Sequence, residues 1–277
     1  MDVELKPGLY IVPTPIGNLK DITLRAIDYL KSCDSIYCED TRITGQLLQN
    51  YSIKKPLFTY HEHNAPKVRE QILEKITKGQ SICLVSDAGM PLISDPGYKL
   101  IRELHVRGLF FTALPGPCAA ISALCLSGMP TNQFFFAGFY ESKMAKNIKT
   151  VPATLIFYES ARRIIKTLKS MAEIFNNRLV VVVREISKIY EESIFGTFSE
   201  VCESLTSRDA IRGEIVIVLS PPKEEEMAVD AIAAQIAELL KTNSLKDVAS
   251  MISEIHGITK KQAYNLALAQ KNEQPLA

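Results

Sequence analysis

Five short apolar runs, each followed by a helical pattern, fill the first 127 residues, and this alternation constrains the fold more than any other feature. Leu9–Val12, Ser35–Cys38, Leu57–Tyr60, Ser81–Val85 and Phe110–Leu114 read as strands, and an amphipathic helix follows the first of them from near Asp21. Strands alternating with helices over short connections predict βαβ units and a mainly parallel sheet. Such a sheet binds ligands in the loops at the carboxyl ends of its strands. The unusual residues of this chain fall in those loops.

A second pattern starts after Gly128-Met-Pro130. Phe134–Phe139, Ala153–Tyr158, Arg178–Arg184, Glu191–Thr197 and Glu214–Leu219 are strand candidates, with a strong helix over Ser160–Phe175. Glu191–Thr197 can pair back on the preceding run as a hairpin, so this half predicts a mixed sheet. Pro221-Pro-Lys-Glu-Glu-Glu226 joins a helix-stopping Pro pair to a like-charge run and reads as a linker. Beyond it, Val229–Leu240 is apolar at helical spacing. Ser244-Leu-Lys-Asp247 and Thr259-Lys-Lys-Gln262 resemble capping boxes, and Gly257 is placed to end the middle helix. The expected division is 1–127, 128–222 and 223–277: two α/β units and a small helical unit compatible with a helix-turn-helix shape. In that unit acidic and basic residues cancel, which leaves packing or dimerisation and RNA contact equally open.

Composition removes several classes. A chain of 277 residues with 47% hydrophobic and 23% charged content is long enough for about two packed domains and is not wholly disordered. No apolar run reaches the ~18 residues of a membrane span, and the acidic start lacks a basic-then-apolar export signal. The six cysteines form no C-x-x-C pair and read as free thiols in a reducing cytoplasm, with no zinc site. A net charge of +1 argues against wholesale coating of nucleic acid but leaves room for a local basic patch.

Three loops carry the candidate chemistry. Pro13-Thr-Pro-Ile-Gly-Asn18 follows the first strand, and it is either a tight turn or a place where backbone meets ligand. It is not G-x-G-x-x-G, so the dinucleotide fingerprint is missing. Ser86-Asp-Ala-Gly-Met-Pro-Leu-Ile-Ser-Asp-Pro-Gly97 follows the fourth strand with two carboxylates and two glycines, and no Lys-Ser/Thr pair makes it a P-loop. Leu114-Pro-Gly-Pro-Cys-Ala-Ala120 follows the fifth strand and opens a small-residue helix. Glu39-Asp-Thr-Arg42 supplies a polar lip or a helix cap. Tyr60-His-Glu-His-Asn64 holds an H-x-H pair, which would need remote partners to bind metal. Ser86 lacks the G-x-S-x-G setting of a hydrolase nucleophile.

Charge is uneven although it sums near zero. Lys143, Lys146, Lys149, Arg162, Arg163, Lys166 and Lys169 face a single acid, Glu159, across 27 residues. Arg162, Arg163, Lys166 and Lys169 are expected on one helical face, opposite Ile164, Ile165, Leu168 and Met171. This is a solvated face or a phosphate-binding one.

In this combination and order, the motifs Tyr10–Asn18, Glu39–Thr44, Tyr60–Asn64, Val85–Gly97, Pro115–Ala119 and Phe157–Ser160 resemble the tetrapyrrole-methylase superfamily of S-adenosylmethionine-dependent methyltransferases. They are most similar to its ribosomal branch, which methylates a cytidine 2′-oxygen in the decoding region of 16S rRNA. The resemblance spans nearly the whole chain. It implies the two-domain tetrapyrrole-methylase fold, with the methyl donor S-adenosylmethionine between the domains, a homodimer, and 16S rRNA or the 30S subunit as partner. It implies donor contacts from Pro15, Ile16 and Gly17, from Ala88, Gly89, Met90 and Ile93, from Cys118 and Ala119, and from Tyr158 and Glu159. Members commonly carry Thr where this chain has Met90, Ser where it has Cys118 and His where it has Ile43. The first two remove hydroxyls near the donor while backbone contacts survive. Asp40, Asp87 and His61 are the candidates to take the hydroxyl proton, with Arg42 or Arg162 on phosphate. A tetrapyrrole-directed methyltransferase and a non-catalytic ribosome-assembly factor stay open as alternatives. The first needs an apolar cleft and no basic cluster, and the second predicts no donor binding.

Overall fold

The computed structural model describes residues 3–175, 177–222 and 224–273. The expected parallel sheet forms from β1 (Gly8–Ile11), β2 (Ser35–Cys38), β3 (Leu57–Thr59), β4 (Ser81–Leu84) and β5 (Phe111–Ala113), in the order β3-β2-β4-β1-β5. Every pairing in it is parallel. Residues along the central strands β1, β2 and β4 alternate between two buried faces. Tyr10, Val12, Ile36, Cys38, Cys83 and Val85 pack on one side, and Leu9, Ile11, Tyr37, Ile82 and Leu84 on the other. Burial on both faces explains why these strands are continuously apolar rather than alternating.

Helices α1 (Leu24–Ser32), α2 (Thr41–Asn50), α3 (Ala65–Thr77) and α4 (Tyr98–Val106) connect these strands. Helix α1 begins three residues later than expected from Asp21. Asn18 first caps a single 3-10 turn over Leu19–Asp21, and the extended Ile22 then resets the chain so that Thr23 caps α1 at the Ala26 amide, 3.0 Å away. Asp40 caps α2.

Helix α5 (Ala119–Ser127) leaves the parallel sheet and packs on the second one. That sheet consists of β6 (Phe134–Phe139), β7 (Thr154–Ser160), β8 (Val180–Arg184), β9 (Glu192–Gly196) and β10 (Glu214–Leu219), in the order β6-β7-β10-β8-β9. β6 and β7 run parallel and the remaining pairs antiparallel, including the β8–β9 hairpin. One face carries Leu155, Phe157, Val182 and Ile217 against α6 (Ser142–Asn147), α7 (Ile164–Ile174) and α8 (Phe198–Thr206). The other carries Ile156, Val181, Val183, Val216 and Val218 against Ala120, Ala123 and Leu124 of α5. The small residues of α5 let that helix lie close to the sheet.

The sequence pattern differs from the structure in three places here. Helices α6 and α8 fall where no helix was expected; α8 is held by a reciprocal Thr197–Glu200 capping box. The helix expected over Ser160–Phe175 starts at Ile164, because β7 runs on to Ser160 and a turn follows. Arg162 therefore lies in the turn and Arg163 at the cap, so the expected four-residue basic face reduces to Lys166 and Lys169 on the helix itself. The linker expected over Pro221–Glu226 is shorter, with α9 (Glu224–Leu239) beginning inside it.

Helices α9, α10 (Leu245–His256) and α11 (Lys260–Glu273) gather around Ile236, Val248, Ile252, Ala263 and Ala267. Ser244 caps α10, and Gly257 ends it at φ 65°. Thr259 and Gln262 exchange backbone and side-chain hydrogen bonds at the start of α11.

Candidate active site

The carboxyl ends of β1, β4 and β5 bring three loops into contact. Thr14 and Gly89 exchange backbone hydrogen bonds of 2.9 and 3.1 Å, joining the first loop to the second. Thr14 Oγ1 also donates to the Ser86 carbonyl at 3.1 Å. A Cβ on Gly116 would lie 2.5 Å from Pro13 Cγ, so the third loop meets the first only because no side chain stands between them. Leu92 and Ser94 hold φ of 73° and 66°, a left-handed backbone that non-glycine residues seldom adopt.

These loops and the facing edge of the second sheet enclose a cavity of about 290 Å³. Among the residues expected to meet a donor, Ile16, Ala88, Gly89, Met90, Ile93, Cys118, Ala119, Tyr158 and Glu159 line it, and Pro15 and Gly17 do not. Gly17 instead abuts the loop after β8, where a Cβ would meet Lys188 Cγ at 2.5 Å. From that loop Ile186 reaches the cavity, and Lys188 is held by Glu185 at 2.8 Å and Glu214 at 2.9 Å.

Glu159 takes part differently from its neighbour Tyr158. Its carboxylate is buried and accepts from the Ser160 amide at 2.7 Å, from Arg163 Nε at 2.9 Å and from Thr167 Oγ1 at 2.5 Å. Thr167 lies on α7, so the side chain points to the helix-covered face and the backbone is what faces the cavity. Tyr158 packs edge-on against Phe136 and Phe139, and burial beside the Cys118 thiol pushes its hydroxyl up to about 12.

The three proton-acceptor candidates separate. Asp87 lines the cavity, with Oδ1 accepting from the Asp40 amide at 3.1 Å. Asp40 is outside the lining and chelated by Arg42, which holds its carboxyl down to about 2. His61 is also outside, at the end of β3, with Nδ1 buried and unpartnered. Its ring and that of His63 meet edge-on at 5.9 Å. Among the described residues no group of three or more His, Cys, Asp or Glu is placed to hold a metal ion.

Two acids that the sequence marked only as parts of motifs, Glu39 and Asp95, join Asp87 in the lining, as does the Lys188-paired Glu214. Burial raises Glu39, Asp87 and Asp95, and neighbouring carboxylates add to it, Asp40 at Asp87 and Glu39 at Asp95, taking Asp95 to about 6. Among the described residues, no Lys, Arg or His lines the cavity. An acid-lined cavity without an internal cation suits a ligand carrying positive charge beside apolar surface. Gly89, φ 82°, brings the backbone of the second loop to the cavity wall, with its own amide and carbonyl engaged by Thr14.

The basic residues lie on the surface. Lys143, Lys146 and Lys149 are exposed on α6 and just after it, and Arg162, Lys166 and Lys169 in the turn before α7 and on α7. None of these six forms an ion pair among the described residues, whereas Arg42 and Arg163 are tied to Asp40 and Glu159.

A two-sheet α/β fold with a cleft at the carboxyl ends of a parallel sheet is the architecture of the tetrapyrrole methylases. The family model Tetrapyrrole (Corrin/Porphyrin) Methylases matches residues 8–202, and a model for the RsmI C-terminal HTH domain matches 226–271. The chain is 42% identical over 272 residues, 95% of each chain, to ribosomal RNA small subunit methyltransferase I of Escherichia coli. It is 46% identical to the Rickettsia prowazekii protein of that name, covering 78% of this chain and 79% of the relative. In fold it is similar to a cobalt precorrin-4 methyltransferase (TM-score 0.57, 14% identity, 76% of this chain and 94% of that one). A uroporphyrin-III C-methyltransferase from Thermus thermophilus, complexed with S-adenosylhomocysteine, gives a TM-score of 0.54 at 17% identity, over 77% and 97% of the two chains. The chain belongs to the tetrapyrrole methylase family and, within it, to the ribosomal RNA small subunit methyltransferase I group.

Proposed function

We propose that this methyltransferase moves a methyl group from S-adenosylmethionine to the ribose 2′-oxygen of a cytidine in the decoding region of 16S rRNA, on the 30S subunit and in the cytoplasm. The observation that carries the reading is the acid-lined cavity at the carboxyl ends of β1, β4 and β5, which fits a cationic donor. When bound, the donor supplies a methyl group already activated by a sulfonium charge. The walls made by Ile16, Ala88, Gly89, Met90, Ile93, Cys118 and Ala119 would grip it through apolar contact and main-chain groups. Met90 and Cys118 offer no alcohol, so orientation falls to the backbone and to the Tyr158 ring. Fixing donor and acceptor in line removes a barrier that effective molarity places at roughly 7–11 kcal/mol.

The basic surface starts at the cavity rim. Helix α6 begins three residues after the cavity-lining Phe139, and Arg162 lies three residues after Glu159. Lys143, Lys146, Lys149, Arg162, Lys166 and Lys169 are thereby placed to hold RNA phosphates around the target, with Arg42 and Arg163 contributing less because carboxylates already pair them. In this reading the units 1–127 and 128–222 hold the donor between them, and 223–277 is an accessory unit.

Labelled methyl transfer to 30S subunits and to free 16S rRNA, followed by mapping of the modified nucleotide, tests the proposal. The expected product is one alkali-resistant linkage at a cytidine. Reversing charge at Lys143, Lys146 and Lys166 should weaken RNA binding and flatten its log–log salt slope by roughly 0.7 per lost contact. Transfer to a base, or to a tetrapyrrole with RNA untouched, would sink the reading.

We also propose that the chain acts as a homodimer. Ile121 and Leu126 on α5 and Phe134 and Phe135 on the edge strand β6 are each at least 40% exposed, an apolar surface that isolated chains seldom leave bare. Sedimentation should find a dimer for the natural chain and a monomer for Leu126→Glu. An unchanged dimer in the variant would move the interface elsewhere.

A further inference from the structure

Apart from Glu159, which is turned to α7, and Glu214, which Lys188 pairs, three carboxylates line the cavity, and they differ in what holds them. Asp87 accepts the Asp40 amide, and Glu39 sits just past the end of β2 with His61 beside it. Asp95 belongs to the loop whose neighbours Leu92 and Ser94 are held in left-handed backbone. Its Oδ2 is buried and has no hydrogen-bond partner. A buried carboxylate oxygen without a donor is costly to keep, and strained backbone persists where the surroundings enforce it for a purpose. We infer that Asp95 is the base that takes the proton from the attacking ribose hydroxyl, a role that rests on the methyl-transfer reading above.

The other candidates are poorly disposed for that role. Asp40 is chelated by Arg42 outside the lining, and His61 is outside it too. The groups facing Asp95 are Ser86 and Asp87 of its own loop, Glu39 from the end of β2 and Tyr158 from β7. None is a cation; the Ser86 hydroxyl favours the ionised form, but burial followed by the charge of Glu39 outweighs it and brings Asp95 to about 6. A general base works best when its proton affinity matches the operating pH. In the step, the hydroxyl proton passes to the Asp95 carboxylate as the oxygen forms its bond to the methyl carbon. The carbon–sulfur bond breaks with its electron pair left on sulfur. A methyl ether, a neutral thioether and a carboxylic acid result, and the acid then gives its proton to water.

Asp95→Asn separates this role from its rivals. Calorimetry should find S-adenosylmethionine still bound, at most about tenfold more weakly because one acid of the lining is neutralised, while kcat at saturating donor falls roughly 10²–10⁴-fold. The kcat profile of the natural enzyme should fall on the acid side near pH 6, and the variant should lack that limb. A readout independent of turnover is melting. A carboxyl raised in the folded state opposes folding once ionised, so Asp95→Asn should melt higher than the natural chain at about pH 8. That advantage should shrink as pH falls through about 6 toward 4. An unchanged kcat with weakened donor binding overturns the proposal and assigns Asp95 to holding the donor. Persistence of the limb in Asp95→Asn, or its loss in Glu39→Gln alone, overturns it as well. If the natural chain binds no donor and methylates no RNA, the underlying reading fails first and the base assignment falls with it.

Discussion

Replacing Arg178 with methionine should lower folding stability by about 3–5 kcal/mol, read from urea unfolding. Arg178 is 4% exposed and precedes β8. Its Nη2 donates to the carbonyls of Lys149 at 2.6 Å and Val151 at 3.2 Å, and its Nη1 to those of Ser220 at 3.2 Å and Ala153 at 3.5 Å. The guanidinium also lies 5.3 Å from the Phe175 ring. One side chain thus ties the segment leading into β7 to the end of β10 beside the start of β8. Methionine fills much of the volume but donates nothing, so these carbonyls lose the guanidinium where water cannot readily replace it, although Val151 keeps a backbone donor in the Ala153 amide at 2.9 Å. Hydrogen bonds to a charged group contribute about 1.5–3 kcal/mol each, and loss of several exceeds any gain from better apolar packing. Lysine should recover only part of the loss, because a single ammonium lacks the planar fork that spans separate carbonyls. A loss below about 1 kcal/mol for the methionine variant would show that the carbonyls find other donors.

Arg178 also shows where sequence pattern stops being informative. It heads the run Arg178–Arg184 and reads as the first residue of a strand, yet β8 begins at Val180 and Arg178 is a buried clamp. Nothing in residue type or spacing announces a buried arginine whose partners are main-chain oxygens. The parallel sheet was legible because its central strands, buried on both faces, are continuous apolar runs, and Ser35–Cys38 coincides with β2. Short helices such as α6, six residues long, carry too few turns for a periodic signal. At the cavity, glycine-bearing loops were visible because close backbone approach needs glycine. Asp95 lies within the loop from Ser86 to Gly97, but its distinguishing property is an oxygen without a donor, which only three-dimensional contacts define. Glu159 shows the converse: the motif marks the position, while strand alternation decides that its carboxylate serves α7.

Gly89→Val should weaken S-adenosylmethionine binding at least tenfold, about 1.4 kcal/mol, and should also lower stability by about 1–3 kcal/mol. Gly89 holds φ 82°, where an added side chain is strained whatever the space around it. Its Cβ would also lie 3.1 Å from Ile16 Cγ2 and 3.6 Å from the Pro117 carbonyl oxygen, so the three loops of the cavity converge on this one position. Two routes of relief exist. If the second loop rotates out of the left-handed region, the paired hydrogen bonds to Thr14 break; if Ile16 retreats, the cavity wall opens. Either displaces main-chain groups in a site proposed to rely on them, since Met90 and Cys118 supply no hydroxyl. Gly79→Ala isolates the backbone contribution. Gly79 has φ 91°, a Cβ added there would meet no heavy atom within 4 Å, and the residue lies in the turn before β4, outside the cavity lining. That variant should lose about 1–2 kcal/mol of stability while binding the donor normally. Equal donor affinity in Gly89→Val and the natural chain would mean that the junction of the three loops does not shape the donor site, and the main-chain account of donor binding would have to be abandoned.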